Sequence, residues 1–268
     1  MPDRRPQAPA GTRKKAAGAT EASAERTAPF GFKDVPERLK ATLVQDVFDR
    51  VVDKYDLMND LMSLGVHRRW KQALIDWLKP RETMTLLDVG GGTGDIAFLF
   101  RDQGGGPVTV VDMSQEMLAR GRDRALDRGL LSGIAWVRGD AEALPIADQA
   151  ADIYTTAFCL RNVTRLEAAL HEAYRVLKPG GRFLCLEFSQ VTLPVLDALY
   201  EVYSFRVLPA LGELVAGDRD AYQYLAESIR RFPNQDAFAR LIGAAGFGQV
   251  KVRNLSGGIA AIHSAWRL

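Results

Sequence analysis

Nine consecutive residues concentrate the chemistry of this chain: Leu87-Asp88-Val89-Gly90-Gly91-Gly92-Thr93-Gly94-Asp95. An apolar run precedes them and a helical pattern follows, so they read as a strand, a glycine turn and a helix start. Glycines at Gly90, Gly92 and Gly94 let the backbone pass under a ligand where a Cβ would collide. The helix start offers free N–H groups to an anion. At the carboxyl end of a first parallel strand, such a turn is where a doubly wound sheet binds a nucleotide-like cofactor. The dinucleotide fingerprint G-x-G-x-x-G would put its third glycine at Asp95, so that fingerprint is absent. No Gly-Lys-Ser/Thr follows, which excludes a P-loop.

Two acids downstream fit the same ligand. Val108–Val111 reads as a second strand, and Asp112 stands at its end. An acid about 20 residues past the glycines suits a pair of ribose hydroxyls. A third strand, Ile134–Val137, leads into Asp140-Ala141. Asp140 has two readings: a third ligand-facing acid, or a helix N-cap.

The elements that must position these residues alternate. Strand one covers about Met84–Val89, and a helix follows near Gly94–Gln103. After strand two comes a helix over Ser114–Arg128 with Ser114 as N-cap. Asp152–Phe158 is strand four. Leu166–Leu177 is a helix stopped by Lys178-Pro179-Gly180-Gly181, and Arg182–Phe188 is strand five. This alternation implies a parallel sheet with right-handed crossovers. Phe48–Leu78 is helical before the sheet begins. Residues 193–233 break the rhythm with a long, aromatic, helical insert, expected as a lid over the carboxyl ends of the strands. Asn234 restarts a helix to Ala245, and two last strands fall near Gln249–Asn254 and Ala260–Trp266.

Composition bounds the rest. Nearly half of the 268 residues are hydrophobic, enough for one α/β domain with extensions. No run reaches the length of a membrane span. Cys159 and Cys185 lack metal or disulfide spacing, so both read as small buried hydrophobes, and no metal site is expected. The net charge is +2, of which residues 1–29 hold +3. Rich in Ala, Pro, Gly and Thr, that stretch belongs to a disordered basic tail taken to span residues 1–35, ahead of a domain over 36–268 with N-terminal helices at 36–80. The tail lacks the h-region of a secretory signal. The folded part has no basic stripe, so no nucleic-acid partner is expected.

The G-x-G-x-G spacing resembles the first motif of class I methyltransferases. Two longer stretches are more specific: Tyr55-Asp56-Leu57-Met58-Asn59-Asp60-Leu61-Met62-Ser63-Leu64-Gly65-Val66-His67-Arg68-Arg69-Trp70, and Arg175-Val176-Leu177-Lys178-Pro179-Gly180-Gly181-Arg182-Phe183-Leu184-Cys185-Leu186-Glu187-Phe188-Ser189. Together they resemble the signatures of the ubiquinone/menaquinone biosynthesis C-methyltransferase family. The resemblance runs from about Phe48 to the C-terminus. It implies a Rossmann-like doubly wound sheet, mostly parallel with an antiparallel final strand. It implies S-adenosylmethionine as cofactor and a prenylated hydroquinone, methylated on a ring carbon, as substrate.

Carried over by motif, the cofactor positions are Asp88, Gly90, Gly92, Thr93 and Gly94, then Asp112, the pair Asp140-Ala141, and Ala157. Serine is common in the family at the last of these. The ring carbon is a poor nucleophile until a hydroxyl ionises, so a base or a phenolate-stabilising cation is needed. Arg161 resembles the family's candidate, either stabilising phenolate charge and orienting a water or forming a structural salt bridge. Asn162 would orient the same water or contact the cofactor. His67 is the rival base by its ordinary pKa, and Tyr55 lies near the start of the same signature. For both, packing is the alternative. A polyprenyl tail must be collected at a membrane. Leu196, Leu199, Tyr200, Tyr203 and Val207 form one apolar face for peripheral contact. A cytoplasmic protein that associates with membranes, and with a quinone-biosynthesis complex, is expected. The rival functions are a methyltransferase for another small apolar acceptor and a non-catalytic cofactor-binding subunit.

Overall fold

The computed structural model describes residues 26–51, 59–60, 63, 65–191, 213 and 218–268. The sequence suggests a tail ending at residue 35; the structure moves that boundary. Thr27–Phe30 (β1) and Lys33–Pro36 (β2) pair as an antiparallel hairpin. Gly31 turns it at φ +57°, against Glu227. The Phe32 N–H donates to Glu227 Oε2 at 2.8 Å, and Phe30 stacks on Tyr224 with ring centroids 4.3 Å apart. The pairing is anchored from outside the hairpin, which local composition does not reveal. Helix α1 (Glu37–Val51) follows directly, starting well before Phe48.

Helices and strands then alternate: α2 (His67–Leu78), β3 (Leu86–Val89), α3 (Asp95–Asp102), β4 (Val108–Asp112), α4 (Gln115–Asp127), β5 (Ile134–Arg138), β6 (Ala151–Ala157), α5 (Leu166–Val176), β7 (Leu177–Phe188), α6 (Arg219–Arg231), α7 (Gln235–Ala244), β8 (Gly248–Leu255) and β9 (Ala260–Trp266). Ser114 caps α4 by accepting from the Met117 N–H at 3.3 Å, and Asn234 caps α7 likewise at 2.9 Å from Ala237. The Lys178–Gly181 stop does end α5, but as part of β7. There the register with β6 shifts between Ala151 and Ile153.

The seven-stranded sheet has the order β5-β4-β3-β6-β7-β9-β8. Neighbours from β5 to β7 are parallel, and β9 runs antiparallel to both β7 and β8. This is the mostly parallel sheet with an antiparallel final strand that the sequence implies. Alternating residues feed two cores. On one face Leu86, Ile153, Leu184 and Leu186 meet Trp70, Leu74 and Ile75 of α2 and Tyr222 and Leu225 of α6. On the other Leu87, Tyr154, Phe183 and Cys185 meet Leu170 and Ala173 of α5 and Phe238 of α7. Burial on both faces accounts for near-continuous apolar strands. The order reverses between β3 and β6, which opens a crevice at their carboxyl ends.

Of the insert at 193–233, only Glu213 and residues from 218 onward are described. The expected apolar face from Leu196 to Val207 lies outside the described residues. Helix α6 packs on the β1 hairpin and on the turn after β6.

Gly121 supplies a test of this packing. In α4 it faces Trp136 of β5, and an added Cβ would overlap the indole. Gly→Ala inside a helix ordinarily stabilises by about 1 kcal/mol. Here overpacking should reverse the sign, so Gly121→Ala is expected to destabilise by roughly 1–3 kcal/mol in urea titration. A stabilised variant would mean that Trp136 has room to move.

Candidate active site

Four strand ends and one helix line an open cleft of about 850 Å³, part of it open to solvent. The loop after β3 forms its floor through Gly90 and Gly92, both left-handed at φ +64° and +54°. A Cβ on Gly90 would overlap the Cys159 side chain. Gly94 has a different job: at φ +87° it caps α3, and a Cβ there would stand 2.6 Å from the Trp136 ring. Asp112 ends β4 and Met113 follows it, Asp140 and Ala141 follow β5, and Phe158, Cys159 and Asn162 follow β6. Ala41, Val44, Gln45 and Phe48 of α1 close the remaining side. Their three- and four-residue spacing is one helical face, a pattern visible in the sequence itself.

The acids are braced by backbone. Asp112 Oδ2 accepts from the Gly92 N–H and Oδ1 from the Ser114 N–H, each at 2.9 Å. Burial raises its pKa, and these two donors oppose the rise. Asp140 Oδ1 accepts from the Glu142 N–H at 2.9 Å, an Asx turn and not a helix cap. The Ser114 hydroxyl donates to Asp49 Oδ1 at 2.9 Å, which ties α1 to the rim of β4.

Asp88, Thr93, Gly94 and Ala157 lie outside the cavity lining. Asp88 is fully buried beneath the loop, where Thr155 Oγ1 donates to its Oδ1 at 2.8 Å. Burial pushes its pKa up to about 7. Thr93 Oγ1 accepts from Arg124 at 2.5 Å. Arg124 also donates to Asp95 at 2.8 Å, and Lys71 donates to Asp95 at 2.6 Å. Burial opposes ionisation of Asp95, but Lys71 and Arg124 outweigh it and hold the carboxyl well below the usual range. Burial pushes the Cys159 thiol up to about 12, so it is inert near neutrality.

A second cavity, about 500 Å³, lies across the turn Leu160–Asn162. Val163 and Thr164 line both cavities, while Arg161 lines the second alone. The Arg161 and Glu187 side chains, each 1% exposed, pair at 2.8 Å. Burial raises the Glu187 pKa against the pull of Arg161. Tyr224 donates to Asn162 Oδ1 at 3.1 Å, between the two cavities. Lys40, which lines the second cavity, had no signal of its own in the sequence.

His67 lines neither cavity. It is buried at the start of α2, with Nε2 3.0 Å from Asp60 Oδ1, and Arg68 also binds that carboxylate. Burial, aided by Lys71, lowers its pKa and keeps the ring neutral at neutral pH. Tyr55 lies outside the described residues.

Asp88 makes stability pH-dependent with a definite sign. Its folded pKa of about 7 exceeds the ordinary value of 3.8, so the folded chain holds this proton more tightly than the unfolded one. The resulting stability is present below about pH 4, falls as pH rises, and is lost above about pH 7. Asp88→Asn keeps an acceptor for Thr155 and removes the titration. From pH 4 to pH 8 its stability relative to the parent should improve by up to roughly 4 kcal/mol. A difference independent of pH in urea titrations would contradict this.

Known proteins share this frame. The model of the ubiE/COQ5 methyltransferase family matches residues 36–267. A "Ubiquinone/menaquinone biosynthesis C-methyltransferase UbiE" from Paracoccus denitrificans is 59% identical over 240 residues, covering 89% of this chain and 96% of the relative. The protein of the same name from Brucella abortus is 54% identical, covering 89% and 90%. Among solved structures, a SAM-dependent methyltransferase from Thermotoga maritima superposes with a TM-score of 0.62 at 21% identity, over 84% of this chain and all of the other. Phosphoethanolamine N-methyltransferase 2 from Haemonchus contortus gives 0.56 at 16% identity, over 74% and 52%. The two structures share the fold, and the sequence relatives carry the assignment: the chain belongs to the ubiE/COQ5 methyltransferase family, and it is a methyltransferase.

Proposed function

We propose that this enzyme transfers the methyl group of S-adenosylmethionine to a ring carbon of a prenylated hydroquinone in ubiquinone/menaquinone biosynthesis. The acceptor is 2-methoxy-6-polyprenyl-1,4-benzoquinol, demethylmenaquinol, or both. The observation that carries this reading is a glycine-floored cavity bearing one acid at the end of β4 and another at the end of β5, in a chain so close to relatives of that name.

The first cavity fits the cofactor. Gly92 leaves open space where a side chain would stand, and Gly90 lets the loop lie close against Cys159. The Asp112 carboxylate has acceptor capacity beyond its two backbone donors and suits ribose hydroxyls. Asp140 and Ala141 suit the polar edge of the base, and Met113, Met117, Val44 and Phe48 its apolar faces. S-adenosylmethionine brings a methyl already activated on a sulfonium. The protein's task is alignment, which can contribute roughly 7–11 kcal/mol.

The second cavity is the reading for the acceptor. Glu187 offsets the Arg161 charge there, so Arg161 positions groups more than it supplies net charge. Asn162, held by Tyr224, would orient a water or contact the cofactor. His67 serves packing. Among the described residues no helix is long and apolar enough to cross a membrane. Peripheral contact, with the prenyl chain drawn from the bilayer, is the corresponding proposal. Association with a quinone-biosynthesis complex at the cytoplasmic side is a further part of it.

Incubation with labelled cofactor and a short-chain demethylmenaquinol should give a C-methylated product identified by NMR. An O-methylated product, or none, would refute the reading. Asp112→Ala should weaken S-adenosylmethionine binding by roughly 2–4 kcal/mol in calorimetric titration. Unchanged affinity in a folded variant would remove Asp112 from the site. Arg161→Ala leaves Glu187 buried and unpaired, so it should cost about 3–5 kcal/mol of stability as well as turnover. His67→Ala should leave the shape of the pH–rate profile unchanged, and a limb near neutrality that vanishes in it would reverse that ranking.

A further inference from the structure

We propose that Lys40 is a catalytic residue of the acceptor side: its ammonium holds the negative charge of the ionised ring oxygen in the second cavity. The inference rests on the reading of the enzyme as a hydroquinone C-methyltransferase and adds the group that makes the ring carbon nucleophilic.

Three cations line this cavity, Lys40, Arg161 and Arg231, and among the described residues no carboxylate does. Two of the three are already answered. Arg161 pairs with Glu187, and Arg231 pairs with Asp34 at 2.8 Å. Lys40 is not. Its side chain sits within a residue only 3% exposed, and its Nζ donates to the Val163 carbonyl at 2.6 Å. An ammonium has three donors, so two remain. Among the described residues no carboxylate lies within 4 Å of it. Glu142, the acid that acts on it, is bound to Arg165 at 2.9 Å. A buried charge without a counter-ion is costly, and an anionic ligand oxygen relieves that cost. The Arg161 Nε is also buried without a partner. Tyr224 and Phe232 give the cavity aromatic walls that suit a ring. Its wall at Val163 and Thr164 is shared with the first cavity, which puts the Lys40 anchor on the partition between donor and acceptor.

The chemistry balances without another reagent. The ring hydroxyl loses its proton to solvent, and the oxygen keeps the electron pair beside Lys40. Electron density rises at the ring carbon ortho or para to that oxygen. That carbon forms the new C–C bond to the methyl group as the S–C bond breaks, and sulfur retains the bonding pair. The proton on the same carbon then leaves to water, which restores the aromatic ring.

A 4-nitrophenol carrying a short prenyl chain, bound in the presence of S-adenosylhomocysteine, reports this directly by its phenolate absorbance. The charged groups around it are Glu142 from the β5–β6 loop, Arg231 and Asp34 from α6 and the hairpin, the Arg161–Glu187 pair, and Lys40 itself. In the parent enzyme the bound probe should titrate at least about one pH unit below the free one. Lys40→Gln keeps a donor for the Val163 carbonyl and removes the charge, and it should abolish the shift. Lys40→Arg should restore most of it. On a short-chain hydroquinone, Lys40→Gln should lower kcat by roughly 100-fold or more, with S-adenosylmethionine affinity unchanged. No shift in the parent enzyme, or an equal shift in Lys40→Gln, would overturn the proposal. A Lys40-dependent shift in an enzyme that methylates no hydroquinone would leave the subsite standing and overturn the reading of the substrate.

Discussion

The Arg161–Glu187 pair is taken out of water almost completely, and the shape of the site depends on it. Desolvating two charges costs several kcal/mol per ion, so such a pair survives only with good geometry and further hydrogen bonds. Both are present. Arg161 also donates to the Phe158 carbonyl at 2.7 Å, and its guanidinium lies 5.4 Å from the Phe188 ring centre. These contacts fix the turn after β6, where Phe158 has a left-handed backbone at φ +59°, rare for a bulky residue. The Phe158 N–H is held by the Leu186 carbonyl at 2.9 Å, and its ring packs against Phe188 at 4.8 Å. Strain at Phe158 is thus over-determined by β7. The turn it begins is the wall between two cavities.

The two cavities differ in the sign of what lines them. Asp112, Asp140 and Glu142 stand around the first, and Lys40, Arg161 and Arg231 around the second. A cationic donor and an anionic acceptor would each find the complementary lining, and each would be unwelcome on the other side. Behind the first cavity lies a rigid scaffold in which Lys71 and Arg124 grip Asp95 and Thr93, joining α2, α3 and α4 to the glycine loop. Its front wall is α1, tied to the rim by the Ser114 hydroxyl on Asp49 and by the Lys40 ammonium on the Val163 carbonyl. The ion pairs thus concentrate behind the loop that must be held.

How much of this is legible in the sequence depends on how local the cause is. Strand ends, the Ser114 cap and the positions of Asp112 and Asp140 follow from period and spacing, which are local. Gly90, Gly92 and Gly94 look equivalent in the chain but answer to different neighbours, Cys159, the cavity and Trp136. Asp88 looks like a ligand acid, yet Thr155 and full burial make it a support for the loop. The hairpin at Thr27–Pro36 is invisible because its anchors, Tyr224 and Glu227, come almost 200 residues later. Lys40 carries no signal of its own in the sequence. Only the packing of α1 on the Val163 carbonyl makes it a buried cation.

In the proposed function, donor and acceptor occupy separate cavities divided by the Phe158–Thr164 segment. A crystal structure with S-adenosylhomocysteine and a short-chain hydroquinone bound together tests it most directly. The nucleoside should lie between Gly90, Asp112 and Asp140, and the ring beside Tyr224 with an oxygen on Lys40. Both ligands within the first cavity, with the second left to solvent, would contradict it.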